Sequence, residues 1–233
     1  MAGLRRIGVL GGMGPQATVS LMQRIQAATP ASDDADHAPL LVDMNPQVPS
    51  RIRHLIDRTG TDPGPVLADM AVRLQTAGAE ALIMPCNTAH HYADHITNRV
   101  SIPFLNMPVM ACDTLAGLVP NGAKIGILAS PATNRTGLFQ ALLAERGLHA
   151  IWPDDQDAML AAIQRIKVTG PTVEDVDALQ HATTEMTDRG AAAILIGCTE
   201  FSLVTADLSA TIPIIDALDV LVKATLQFSG VNG

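Results

Sequence analysis

Short unbroken apolar runs alternate along the chain with longer stretches whose apolar residues recur at helical spacing. The runs are residues 7–10, 40–44, 81–84, 104–107, 124–130, 194–196 and 212–215, with 150–152 as a weaker eighth. Runs this short, apolar throughout and bounded by Gly or Pro, predict strands buried on both faces. Amphipathic segments such as 65–77, 134–146 and 173–189 predict helices between them. Strand and helix in repeated alternation imply an α/β fold with mostly parallel sheets flanked by helices. Crossovers between parallel strands are then right-handed.

The pattern also repeats itself. Residues 78–88 (GAEALIMPCNT) align with 190–200 (GAAAILIGCTE), which brings Cys86 onto Cys198. Residues 6–11 (RIGVLG) resemble 124–129 (KIGILA), and Ile102-Pro103 matches Ile212-Pro213. Three matched pairs in one order predict two similar lobes. One comprises 1–104 plus 211–233, with the last helix returning to it, and the other 105–210.

Composition narrows the function. The 233 residues are 48% hydrophobic, 16% charged and only 3% aromatic, with a net charge of -8. A packed core is affordable, and aliphatic residues and Met must fill it. The acidic balance, with lysine only at 124, 167 and 223, argues against nucleic-acid and acidic-membrane partners. Arg5-Arg6 before an uncharged stretch mimics an export signal, but Gly8, Gly11, Gly12, Gly14 and Pro15 break its apolar core. The three cysteines are too few for a disulfide framework and suit a reducing compartment. The chain reads as cytoplasmic.

Each matched cysteine ends a buried strand and begins a turn. In open parallel sheets ligands bind beyond the carboxyl ends of strands, where helix N-termini point. That field lowers a thiol pKa from about 8.5 towards neutrality. One such cysteine is readily explained as core filling; two in register, each with a hydroxyl within the next two residues, point to chemistry. Two equivalent thiols on opposite sides of one carbon are suited to removing a proton from one face and returning one to the other. Backbone N–H groups with Asn87, Thr88 and Thr199 would stabilise the carbanion charge.

These residues resemble the cofactor-independent aspartate/glutamate racemase family. The matching segments are Gly11-Gly12-Met13-Gly14-Pro15, Asn45-Pro46-Gln47 with Arg51, residues 85–90 (PCNTAH) and residues 197–200 (GCTE). The resemblance implies two pseudo-twofold-related α/β lobes with the active site in the cleft between them. It implies Cys86 and Cys198 as paired acid/base thiols, with no pyridoxal phosphate and no metal. It places Met13, Gly14, Asn45, Gln47, Asn87, Thr88, Thr199 and Glu200 around the substrate, with Arg51 and Lys167 as anchors for its carboxylates. Arginine grips a carboxylate through two parallel hydrogen bonds, which supports the first anchor on chemistry alone. Val9-Leu10 before the glycines and Glu200 after Thr199 put the chain on the aspartate side of the family. The implied substrate is a small acidic amino acid, aspartate or glutamate, and the implied assembly a homodimer.

Other readings remain open on the residues. Gly12, Gly14 and Ala17 satisfy a dinucleotide-binding glycine pattern with Asp43 as its acidic partner, although Pro15 removes one N–H from the phosphate cradle. His91 and His95 stand at metal-ligand spacing on one helix face. His90 is placed either to tune the nearby thiol or to decorate the surface. Cys112 sits at apolar helical spacing and reads as core. A non-catalytic amino-acid-binding protein would keep the cleft without needing both thiols.

Overall fold

A computed structural model describes residues 3–231. Its elements run β1 (Ile7–Gly11), α1 (Pro15–Ala28), β2 (Leu40–Met44), α2 (Gly64–Thr76), β3 (Ala81–Ile83), α3 (Ala93–Thr97) and α4 (Met107–Leu118). They continue with β4 (Lys124–Leu128), α5 (Pro131–Thr136), α6 (Leu138–Ala144), β5 (His149–Ile151), α7 (Gln156–Thr169) and α8 (Val173–Asp188). The last three are β6 (Ala191–Ile196), β7 (Ile214–Asp216) and α9 (Ala217–Ser229). Among the described residues no helix is long and apolar enough to cross a membrane.

The chain divides into two compact units. One holds the residues up to Met107 and those from Leu218 on; the other is Pro108–Ala217. The first sheet has the order β2-β1-β3 and the second β5-β4-β6-β7, all parallel. A parallel bridge from Leu82 to Phe104 adds a rudimentary fourth position to the first sheet. Both units therefore share one strand order, in the register the internal repeat predicts. Leu82 N–H donates to the Pro103 carbonyl at 2.8 Å, and Ile194 N–H to the Pro213 carbonyl at 2.9 Å.

The repeat extends to packing. A Cβ at Gly8 would lie 2.8 Å from Leu82 Cδ2, and one at Gly126 would lie 2.6 Å from Ile194 Cδ1. Both positions are glycine because a branched side chain on the neighbouring strand fills the space. Strands β1, β3 and β6 are buried on both faces, as unbroken apolar runs require, whereas β2, at the edge of the first sheet, is only half-buried and ends exposed at Met44. Leu10, Leu67, Met70, Leu82 and Ile96 centre the core of the first unit. Ile127, Phe139, Ile163, Leu179 and Ile194 are fully or almost fully buried in the second.

Three expected elements differ. Residues 104–107 make only the Phe104 bridge before α4 begins at Met107. The helix expected over 134–146 is two pieces, broken where Gly137 adopts φ 69. Strand β7 pairs with β6, so residues 214–216 belong to the second sheet rather than to the first lobe.

Candidate active site

The first cysteine loop starts where β3 stops. Cys86 follows in extended backbone, 7% exposed, and caps a 3-10 turn over Asn87–Tyr92. Its carbonyl accepts the Ala89 N–H at 3.1 Å and lies 2.9 Å from His90 Nδ1. A carbonyl only accepts, so Nδ1 carries the proton. Nε2 is then the acceptor for the Met107 N–H at 3.3 Å. Both ring nitrogens are thus used on backbone, and the ring stacks on Phe104 with centroids 5.2 Å apart. His90 is neither surface decoration nor a thiol ligand. It is a buried neutral staple joining the Cys86 loop to the start of α4.

Burial pushes the His90 pKa down from its ordinary 6.5 to about 4, against two backbone hydrogen bonds that act the other way. Above about pH 6.5 the ring is neutral in both folded and unfolded chains. As pH falls towards 4 the unfolded chain binds a proton that the folded chain refuses, so stability falls through that window. The loss approaches about 3 kcal/mol at the acid end. Denaturant unfolding between pH 7 and 4.5 should show His90→Gln less stable at neutral pH but flatter with pH than the parent. Equal pH slopes would contradict the neutral buried state.

Around this loop the glycine turn and the segment after β2 interlock. Thr18 Oγ1 accepts the Gly12 N–H at 3.0 Å and donates to the Gly14 carbonyl at 3.3 Å. Gly12 has φ 92, and a Cβ there would overlap the Asn45 backbone. The close approach that demands glycine is therefore made by the chain's own Asn45. Asn45 Oδ1 accepts the Gln47 N–H at 3.0 Å, and Gln47 itself is exposed. Met13, Val48 and Cys86 share one buried cluster. Gly14, Asn45 and Thr88 are half-buried.

Arg51 is more engaged than an open carboxylate anchor. Its Nη1 donates to the Val48 and Pro49 carbonyls at 3.3 and 3.0 Å, and Nη2 to the Met13 carbonyl at 3.4 Å. Its Nε is buried without a hydrogen-bond partner. Asn87 is 3% exposed, and neither its amide oxygen nor its amide nitrogen has a hydrogen-bond partner. A buried amide left open at both ends is costly unless something else satisfies it.

The second cysteine loop repeats the placement with different chemistry. Cys198 follows β6, 8% exposed, and its carbonyl accepts the Phe201 and Ser202 N–H groups at 3.0 and 3.2 Å. The Cys198 thiol donates to Glu200 Oε2 at 3.1 Å. Glu200 Oε1 lies 3.5 Å from Lys167 Nζ, in the last turn of α7. Thr199 is buried beside them. Lys167 and Glu200, both expected on the substrate, are thus paired with each other, and Glu200 with the thiol.

The expected lowering of the thiol pKa does not hold for Cys198. Burial pushes it well above its usual range, and the Glu200 charge and hydrogen bond push it further; Lys167 opposes them more weakly. The physical reason is local. Only a three-residue 3-10 turn starts after this cysteine, so little helix dipole reaches it, whereas a carboxylate sits in contact.

The sequence reading missed two supports. Ser202 Oγ lies 2.7 Å from Asp216 Oδ1, which ties the Cys198 loop to the end of β7. Ser202 stands four residues after Cys198, as His90 stands four after Cys86; extending the repeat alignment by two residues would have found both. Tyr92, the one tyrosine of the chain, is buried, with Oη 2.6 Å from His54 Nδ1. Burial, reinforced by Asp62 and opposed by Arg51, raises its pKa to about 12.

The other candidate residues have structural partners. Asp43 receives both Nε and Nη2 of Arg73, at 3.1 and 2.7 Å. A carboxylate so held is poorly placed for a ribose, and the comparisons below give a dinucleotide reductase no support. The His95 ring packs against Gly64, where a Cβ would lie 2.6 Å from it. Cys112 is fully buried in α4, its pKa raised to about 12 by burial first.

Comparisons with known proteins agree with the doubled fold. A broad specificity amino-acid racemase from Bacillus subtilis, RacX, is 28% identical over 226 residues, which span 95% of this chain and 96% of the relative. The Picrophilus torridus aspartate racemase structure superposes with a TM-score of 0.87 at 25% identity, covering 98% of this chain and 95% of that one. Glutamate racemase from Francisella tularensis, solved with D-glutamate, shares the fold at a TM-score of 0.65 and 15% identity, over 98% of this chain and 83% of that one. The family profile of Asp/Glu/hydantoin racemases matches residues 10–225. On that match, and on a doubled α/β architecture with one buried cysteine after the third strand of each sheet order, the chain belongs to the Asp/Glu/hydantoin racemase family.

Proposed function

We propose that the protein is an amino-acid racemase that interconverts the enantiomers of a small acidic amino acid, aspartate first, using Cys86 and Cys198 and no organic cofactor or metal. The observation that carries this reading is the equivalence of the two cysteines. Each follows the same strand of the same sheet order, each is buried, and each begins a turn tied down by the residue four places later. Duplicate acid/base groups suit a reaction whose substrate and product are mirror images. One thiolate takes the Cα proton from one face, and the other thiol returns a proton to the opposite face. Negative charge that builds on the substrate carboxylate would be met by the Asn87 amide, whose oxygen and nitrogen have no hydrogen-bond partner, and by the Thr88 and Thr199 hydroxyls and backbone N–H groups of the two cysteine loops.

Arg51 holds the Met13–Gly14 turn and the segment after Asn45 in one arrangement, and its unpartnered Nε is a further donor for a carboxylate. Met13, Gly14, Asn45 and Gln47 form the wall this arrangement shapes. A wider substrate range is the second reading, favoured by the likeness to a broad specificity racemase over almost the whole chain.

Chiral chromatography of reactions with L-aspartate, L-glutamate and a panel of neutral and basic L-amino acids tests the substrate class. Aspartate should give the fastest approach to a racemic mixture, with glutamate next. Faster conversion of neutral or basic residues would replace the acidic assignment with the broad one.

A further inference from the structure

Glu200 touches the thiol from the loop after β6, and Lys167 reaches Glu200 from α7, a different element of the same unit. The carboxylate is 8% exposed, while the ammonium is partly open to solvent, its side chain 38% exposed. A buried carboxylate in contact with a thiol has a definite consequence: it accepts the S–H bond and disfavours the thiolate. Among the described residues no carboxylate is hydrogen-bonded to Cys86, where the residue two places on is Thr88 and the residue four places on is the neutral His90.

Resting on the racemase reading, we propose that Glu200 is the positioning and proton-holding partner of Cys198, and that Lys167 braces the Glu200 carboxylate against the thiol. In the resting enzyme the Cys198 S–H points at Oε2. When Cys198 acts as base, the S–H bond breaks, the proton passes to Oε2 as a carboxyl O–H, and the thiolate takes the Cα proton. The electron pair of the Cα–H bond stays on the carbanion. When Cys198 acts as acid, it starts from the form the base route leaves, with sulfur and Glu200 both protonated: the thiol proton goes to Cα and the Glu200 proton then returns to sulfur. Each route conserves protons without an added reactant. The groups that face Cys198 with charge are Glu200 on its own loop and Lys167 on α7.

A titration that needs no turnover tests this. In the full chain with Cys86→Ser and Cys112→Ser, Cys198 is the sole thiol, and its ionisation is read by ultraviolet thiolate absorbance against a blank that also carries Cys198→Ser. Glu200→Gln, which keeps the shape but cannot take the proton, should lower the midpoint by about 1 or more on the pH scale. Lys167→Met should raise it. In the otherwise native enzyme, Glu200→Gln should lower kcat by about 10- to 100-fold with little change in KM, and Glu200→Asp should recover part of the loss. If both variants are folded by circular dichroism and neither moves the midpoint, the proposal is overturned. If Glu200→Gln does not fold, an unmoved midpoint in Lys167→Met alone overturns it. Failure of the racemase reading would instead appear as absent turnover in the unaltered protein while the titration still shifts.

Discussion

Alanine in place of Cys86 or of Cys198 is expected to lower racemisation by about 10²–10⁴-fold, the usual cost of losing a positioned acid or base. Alanine in place of Cys112 should leave most of the activity. The contrast follows from position rather than from residue type, since all three cysteines are buried. Cys86 and Cys198 lie in the loops that follow matched strands, β3 and β6, at the carboxyl ends of parallel sheets, where ligands bind in open α/β folds. Cys112 lies inside α4 with no counterpart in the other unit and with a thiol pushed to about 12 by burial. Removing its sulfur leaves a small cavity and a loss of stability, which a denaturation curve would register without a comparable change in kcat. Near-native racemisation by either of the first two variants would contradict a mechanism that needs both thiols.

Gly12→Ala should be the most damaging single substitution for stability. The residue has φ 92, and the added Cβ would overlap Asn45 backbone atoms, which cannot swing aside as a flexible side chain could. Left-handed strain costs about 1–2 kcal/mol. Displacing the backbone adds overpacking of about 1–3 kcal/mol. The same move breaks the Gly12–Thr18 hydrogen bond and shifts Met13, whose carbonyl is an acceptor for Arg51. A loss of about 3 kcal/mol or more in denaturant unfolding, with a raised KM in whatever folds, is the expected result. Unchanged stability would mean that the turn relaxes freely and that Asn45 does not set its shape.

Much of this architecture was legible because buried parallel strands leave an unambiguous mark. Continuous apolar runs located β1, β2 and β3 almost to the residue and the second half of β6, and the internal repeat anticipated that both sheets share one strand order. The errors came where tertiary partners decide. Nothing local distinguishes 104–107 from 212–215, yet only the latter makes a strand, β7; residues 104–107 give way to α4. The Gly12 pattern read equally well as a phosphate cradle or a substrate wall, whereas its neighbour is Asn45. Residue types at Arg51, Lys167 and Glu200 were informative about charge but silent about pairing. The 3.5 Å contact between Lys167 and Glu200 joins two elements distant in sequence, and burial, reinforced by Glu200 against the thiol and opposed by Lys167, reverses the expected direction of the Cys198 pKa. Spacing from the cysteine carried more than residue type did: His90 and Ser202 differ chemically yet perform the same anchoring at the same offset.

The central claim is proton exchange at Cα through two thiols, and nuclear magnetic resonance of aspartate in D2O with the purified protein alone measures it most directly. Starting from either enantiomer, the account predicts loss of the Cα proton signal together with appearance of the opposite enantiomer, with no cofactor added. It also predicts that product formed early carries solvent deuterium at Cα, because the thiol that returns a proton is not the one that removed it. Retention of the Cα proton in both enantiomers of aspartate and glutamate would contradict the account.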